Sequence, residues 1–231
     1  MKVRIKFAKY GAMKFIGHLD IMRFFQKAIR RAGIDIKYSE GFSPHQIMSF
    51  AAPLGVGIES SGEYMDIEVL SMTSTEDMKQ ALNHVMVEGV EILSVSVLPE
   101  NAKNSMASVA AAAYRIKMKA GNFPIKDLSG KLLDYYGQDK IPYTKETKKS
   151  TVELDLKQGI YELKADSDGA IFMLVNASSS GNIKPTMVFE KFCEFAEVEV
   201  PRSAYQIIRL ETYTDYAEDE EGHQFVPLAL V

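Results

Sequence analysis

Val3-Arg4-Ile5-Lys6-Phe7, followed by the run from His18 to Ala32, decides the fold. In the first stretch apolar Val3, Ile5 and Phe7 alternate with charged Arg4 and Lys6, the period-two pattern of a half-buried strand. In the second, Ile21, Phe25, Ala28, Ile29 and Ala32 recur at helical spacing, and Gly33 supplies a stop. Working outward, residues 34–38 read as a short second strand. Residues 41–53 read as a turn-rich loop in which 47–51 can extend. Met65, Ile67 and Val69 alternate with Tyr64, Asp66 and Glu68 in a third strand. Ser74 and Asp77 have capping-box spacing, with Asp in place of Glu. They open a stripe of Met78, Ala81, Leu82, Val85 and Met86 that ends at Gly89. Leu93, Val95 and Val97 then form a fourth strand, closed by Pro99.

The resulting β-α-β-β-α-β order predicts a ferredoxin-like, split βαβ unit over residues 1–98. Residues 99–108 are small and polar and read as a linker. The pattern recurs over 109–216. Strands are expected at 114–118, 152–156, 161–165, 171–176 and 205–212. Helices are expected at 124–136 and from Pro185 to about residue 195, with Pro185 at the first helical position. An Asp-Ser-Asp-Gly turn at 166–169 joins two of the strands. The expected class is α+β: two ferredoxin-like domains in tandem, with antiparallel sheets and helices on one face. Residues 217–231 form an acidic, then apolar tail, able to dock on the body or on a partner.

Composition narrows the function. No apolar run reaches the roughly 18 residues that a membrane span needs. The alternating start is unlike a signal peptide, so a cytoplasmic location without membrane association is expected. The single cysteine, Cys193, excludes an intrachain disulfide framework and a Cys-only metal cluster held by this chain alone. Its apolar helical setting suits a buried small hydrophobe. Gly55-Val56-Gly57 lacks the residues of a nucleotide-binding loop. The open sheet face is expected to pair Arg4 and Lys6 with Asp66 and Glu68 across strands. It lacks the aromatic pair of an RNA-recognition platform.

The charge is uneven. Residues 1–50 hold ten Lys/Arg against three Asp/Glu, whereas 187–221 hold three against ten. Arg23, Lys27, Arg30 and Arg31 share one helix face, opposite the apolar stripe. Such a face suits phosphate, because each neutralised phosphate releases counterions. It is equally the pattern of a solvated helix face. His18 stands where a helix N-terminus can hold an anion, and Asp20 suits a helix cap. His45 and Phe42 lie in the loop Gly41-Phe42-Ser43-Pro44-His45. Phe42 either stacks on a base or tucks under the helix. His18, Arg23, Lys27, Arg30, Arg31, Phe42 and His45 are therefore the expected anion- or RNA-binding residues. His18 and His45 are also candidates for acid–base chemistry. No cofactor is expected, and a His18, Asp20 and His45 metal site is the weaker alternative.

Lys14-Phe15-Ile16-Gly17-His18-Leu19-Asp20, Arg30-Arg31-Ala32-Gly33, Tyr38 to His45 and Glu63-Tyr64-Met65-Asp66 together resemble the bacterial radical-SAM-linked domain of unknown function. The likeness is dense over residues 1–70. It continues more loosely to about 212, through Asn182-Ile183-Lys184-Pro185 and Pro201-Arg202. Gly17 stands where Ser is common, and Gln46 where a second Pro often follows. The resemblance implies an accessory protein that presents an anionic substrate such as RNA to a radical SAM partner. The chain has no Cys-x3-Cys-x2-Cys of its own, so it is not that enzyme, and no catalysis by it alone is expected. A phosphoester-acting enzyme using His18 and His45, and a pure protein-interaction module, are the alternatives.

Overall fold

The computed structural model describes residues 1–146, 151–217 and 222–230. The acidic run 218–221 of the tail lies outside the described residues. The chain divides into two compact units, one of Met1–Ala110 with Glu211–Val231, the other of Ala111–Leu210. Both are α+β, with antiparallel strand pairing and helices. The sequence reading placed 211–216 with the second half, but these residues belong to the first unit. Their side chains meet first-unit partners, beginning with Glu211 on Lys6.

The first unit contains β1 (Lys2–Lys9), α1 (His18–Arg31), β2 (Met48–Phe50), β3 (Ile58–Glu68), α2 (Thr75–His84), β4 (Val90–Val97) and the short α3 (Ser105–Ser108). β1 pairs antiparallel with both β4 and β3, and β2 pairs antiparallel with β3. The expected second strand at 34–38 is instead two isolated bridges, Ile36 to Val69 and Tyr38 to Gln46. The ladder register at 65–67 is taken by β2. The linker also proves structured, because Asn104 caps α3 and the Ser105 N–H donates to Asp66.

Helix α1 forms where the apolar stripe predicts, and Gly33 follows it in the left-handed region at φ 68°. This conformation costs a glycine little and lets the chain leave the helix sharply. Ser74 caps α2 by accepting from the Asp77 N–H. Ile21, Phe25 and Ile29 of α1 and Met78 and Leu82 of α2 bury against Val3, Ile5, Phe7, Met65 and Ile67. Phe7, Phe25 and Phe50 meet edge to face at 4.8–6.0 Å within this core. Such contacts add roughly 0.5–1.5 kcal/mol each beyond area burial.

On the other side of β1, Arg4 and Asp66 stand opposite in register and form a buried ion pair. The guanidinium also donates to the carbonyls of Leu228 and Lys103. Lys6 pairs with Glu211, which also accepts from the Tyr64 hydroxyl at 2.7 Å; Glu68 pairs with Lys37. Burial first, and then Glu211, raise the Tyr64 pKa strongly, so its hydroxyl stays protonated as the donor. The apolar tail docks here. β11 (Phe225–Pro227) pairs antiparallel with residues 213–215, and Leu228 is fully buried.

The second unit contains β5 (Ala111–Met118), α4 (Leu128–Tyr136), β6 (Pro142–Glu146), β7 (Thr151–Asp155), β8 (Ile160–Ala165), β9 (Ile171–Asn176), α5 (Pro185–Phe195) and the start of β10 (Tyr205–Asp215). β9 pairs antiparallel with both β5 and β8, and β10 lies next to β5. β6 and β7 form a separate two-stranded ladder. Tyr135, Val188, Phe189 and Phe192 bury between the helices and the strands.

The Arg4–Asp66 pair generates a prediction. Asp66→Ala leaves a buried guanidinium without its carboxylate and an orphaned Ser105 N–H, at a cost of about 3–5 kcal/mol. Replacing both partners, Arg4→Met with Asp66→Leu, should recover much of that loss. Urea denaturation of the three proteins checks both. A single variant as stable as the parent would show that the pair is dispensable.

Candidate nucleic-acid interface

Helix α1 turns Ile21, Phe25, Ala28 and Ile29 inward, so Arg23, Lys27, Arg30 and Arg31 face solvent and all four are exposed. From Arg23 to Arg30 the stripe runs about 10 Å along the axis, at 1.5 Å per residue. Arg23 contacts Asp20 at 3.3 Å in a highly exposed pair, a contact of roughly 0–1 kcal/mol that competes little with a ligand. Arg31 leans away from the stripe and donates to the Val85 carbonyl after α2. Asp20 makes no capping bond, and Gly17 occupies the N-cap with no side chain to offer. The cap expected from Asp20 is therefore absent.

The loop before β2 lies beside this stripe. The Gln46 amide donates to the carbonyl of Gln26 in α1 at 3.3 Å, and Arg30 Nε donates to the same carbonyl at 3.2 Å. The loop is closed at its base. Ser39 N–H donates to the His45 carbonyl, His45 N–H donates to Ser39 Oγ, and His45 Nδ1 lies 2.9 Å from that hydroxyl. Gly41 at φ 108° makes the tip turn. At the tip Phe42 is wholly exposed, with a relative exposure of 112%, and Tyr38 is exposed at the loop's foot. The expectation that Phe42 either stacks or tucks under the helix thus resolves against tucking. Beneath the loop, Gln46 Oε1 is buried and has no hydrogen-bond partner among the described residues.

The two histidines have different surroundings. His18 meets the edge of Phe50 at 5.4 Å, whereas His45 is tied to Ser39. The contacts tie the loop's end, through Gln46, to the Gln26 carbonyl that Arg30 also reaches, while His18 packs on Phe50. Among the described residues no three His, Cys, Asp or Glu are grouped to hold a metal. The His18, Asp20 and His45 alternative therefore finds no grouped ligand set, and His18 and His45 have separate partners, Phe50 and Ser39. Sequence reasoning missed Tyr38, the Ser39–His45 closure and Gln46. A serine and a histidine six apart around Gly and Pro were the available signal for the closure; Gln46 was marked only as a departure from the family pattern, not as an anchor to α1.

Among the described residues, clefts also lie elsewhere. One of about 380 Å³ lies between the end of α1 and the start of α2, lined by Gly33, Asp35 and Asp77. One of about 260 Å³ is lined by Lys2, Asp66 and Lys103. A third of about 490 Å³ is lined by Phe189, Cys193, Glu194 and Tyr205. His18, Phe42 and His45 line none of them.

All the motifs that resemble a known family in the first seventy residues thus lie in one unit, three of them around α1 and its neighbouring loop and Glu63-Tyr64-Met65-Asp66 on β3. The sequence matches the family described as uncharacterized protein conserved in bacteria (DUF2344) over residues 2–185. The chain belongs to this family. The match ends at Pro185, so Pro201-Arg202 lies beyond it. No curated protein matches the chain. Matching solved structures include one from the crystal structure of a Cbf5-Nop10-Gar1 complex, at 7% identity and a TM-score of 0.45. That match covers 91% of this chain and 48% of the other, so the chain spans about half the length of the structure it matches. No helix among the described residues is long and apolar enough to cross a membrane.

Cys193 provides a check on thiol chemistry. Burial first, and then Glu190, push its thiol up to about 11. Both effects disfavour the thiolate, so the group is neutral at pH 7. Iodoacetamide should modify the folded protein slowly there and faster as the pH rises toward 11, whereas denatured protein should react at the ordinary rate. Equal rates in the two states would contradict this assignment.

Proposed function

We propose that this protein binds RNA through the exposed face of α1 and presents it to a radical SAM enzyme in the cytoplasm, without catalysis of its own. The observation that carries the reading is the stripe of Arg23, Lys27 and Arg30 beside a closed loop with a fully exposed aromatic tip. Cations spaced along one helix face suit a polymer of phosphates better than one small anion. The radical SAM partner rests on the sequence resemblance. The docked tail, with Leu228 buried, weighs against the apolar segment as a free partner-binding arm. We further propose that both units are ferredoxin-like. The strand neighbours β4-β1-β3-β2 in the first, and β10-β5-β9-β8 in the second with the β6–β7 hairpin inserted, support it.

The charge contribution is testable with a fluorescently labelled RNA hairpin carrying a single-stranded tail. Changing Arg23, Lys27 and Arg30 together to Gln should weaken binding. It should also flatten the log–log salt dependence by roughly two to three units, at 0.7–0.9 per phosphate contact. An unchanged slope would leave the stripe as a solvated helix face. For presentation, adding the protein should increase modification of RNA by a radical SAM enzyme encoded beside it. No increase would remove that part of the reading.

A further inference from the structure

An apolar ring held in water is unfavourable unless something covers it. Burying a phenylalanine side chain stabilises a fold, and Phe42 forgoes all of that gain. Loop looseness does not explain this exposure. Three contacts between Ser39 and His45 close the loop's base, and Gln46 fastens its end to α1. The ring therefore projects from an ordered stem whose end, at Gln46, shares the Gln26 carbonyl with Arg30, a cation of the exposed stripe. A ligand that satisfies both features carries phosphates and flat aromatic groups free to stack.

We propose that the ligand is single-stranded RNA, with an unpaired base stacked on Phe42 while the flanking phosphates lie along Arg23, Lys27 and Arg30. This rests on the RNA-binding reading and specifies its substrate. Every base has a stacking face, so this contact distinguishes unpaired from paired nucleotides rather than one sequence from another. In a duplex both faces of an interior base are already stacked, and Phe42 would have only backbone to meet. Tyr38, exposed at the foot of the same loop, offers a second ring on the path of the strand.

The test measures affinity for an adenine oligoribonucleotide, for its duplex with uracil, and for a strand of the same length and charge without bases. Phe42→Ala should weaken single-strand binding by about 5- to 150-fold, the range for losing one base–aromatic stack. The salt slope should stay the same, and Phe42→Trp should retain affinity. The baseless strand, which forgoes every stack, should bind the parent protein no better than RNA binds the alanine variant, and the duplex should not respond to position 42. Because Phe42 touches no core, the thermal midpoint should not move. Unchanged affinity in Phe42→Ala, with binding still lost in the triple Gln variant, overturns the stacking proposal and leaves RNA binding intact. No binding of any RNA by the parent protein defeats the underlying reading instead. Loss of a protein partner in Phe42→Ala, with RNA affinity unchanged, assigns the ring to that partner and likewise overturns the proposal.

Discussion

The buried Arg4–Asp66 pair is the constraint on which the first unit depends. Removing two charges from water is expensive, and their attraction offsets this only when the remaining polar atoms are also satisfied. Here they are: the guanidinium reaches the Leu228 and Lys103 carbonyls, and the carboxylate accepts from Ser105 N–H. One ion pair therefore positions β1, β3, the start of α3 and the C-terminal segment together. A register slip of one residue in β1 would turn Arg4 into the apolar core and Ile5 out of it.

That arrangement leaves α1 free to carry function. Its inner face is committed to Phe7, Phe50 and the strand residues around them. The open side of the sheet is committed to ion pairs and the returning tail. Charge on the outer face of α1 is free of both, and the loop carrying Phe42 is anchored to that helix by a single backbone carbonyl, that of Gln26. The core fixes where the helix lies, and the Gln26 contact fixes where the aromatic tip lies beside it.

Much of this was legible in the sequence because it is local. Alternation in Val3–Phe7, the stripe from Ile21 to Ile29 and the cap at Ser74 each report their own surroundings. The second strand was not legible, since two short apolar runs, 34–38 and 47–51, compete for the edge of β3. Only the register at Met65–Ile67 decides between them. Lys6 was expected to meet a carboxylate on β3, but its partner Glu211 comes from the far end of the chain, which no local pattern reveals. At the site, the basic face followed from spacing alone. The exposure of Phe42 did not, because an aromatic in a Gly-Pro loop reads equally well as buried or free until the closure by Ser39 and His45 is seen.

The return of residues 211–230 to the first unit has a consequence for biosynthesis. The ribosome releases Arg4 and Lys6 early, but Glu211 and the Leu228 carbonyl emerge only after the second unit has been made. The later unit, Ala111–Leu210, is continuous in sequence. The first unit must therefore wait, with Lys6 and Arg4 lacking these partners, until residues 211–228 have followed the second unit out. The order of completion during translation is the reverse of the order of synthesis.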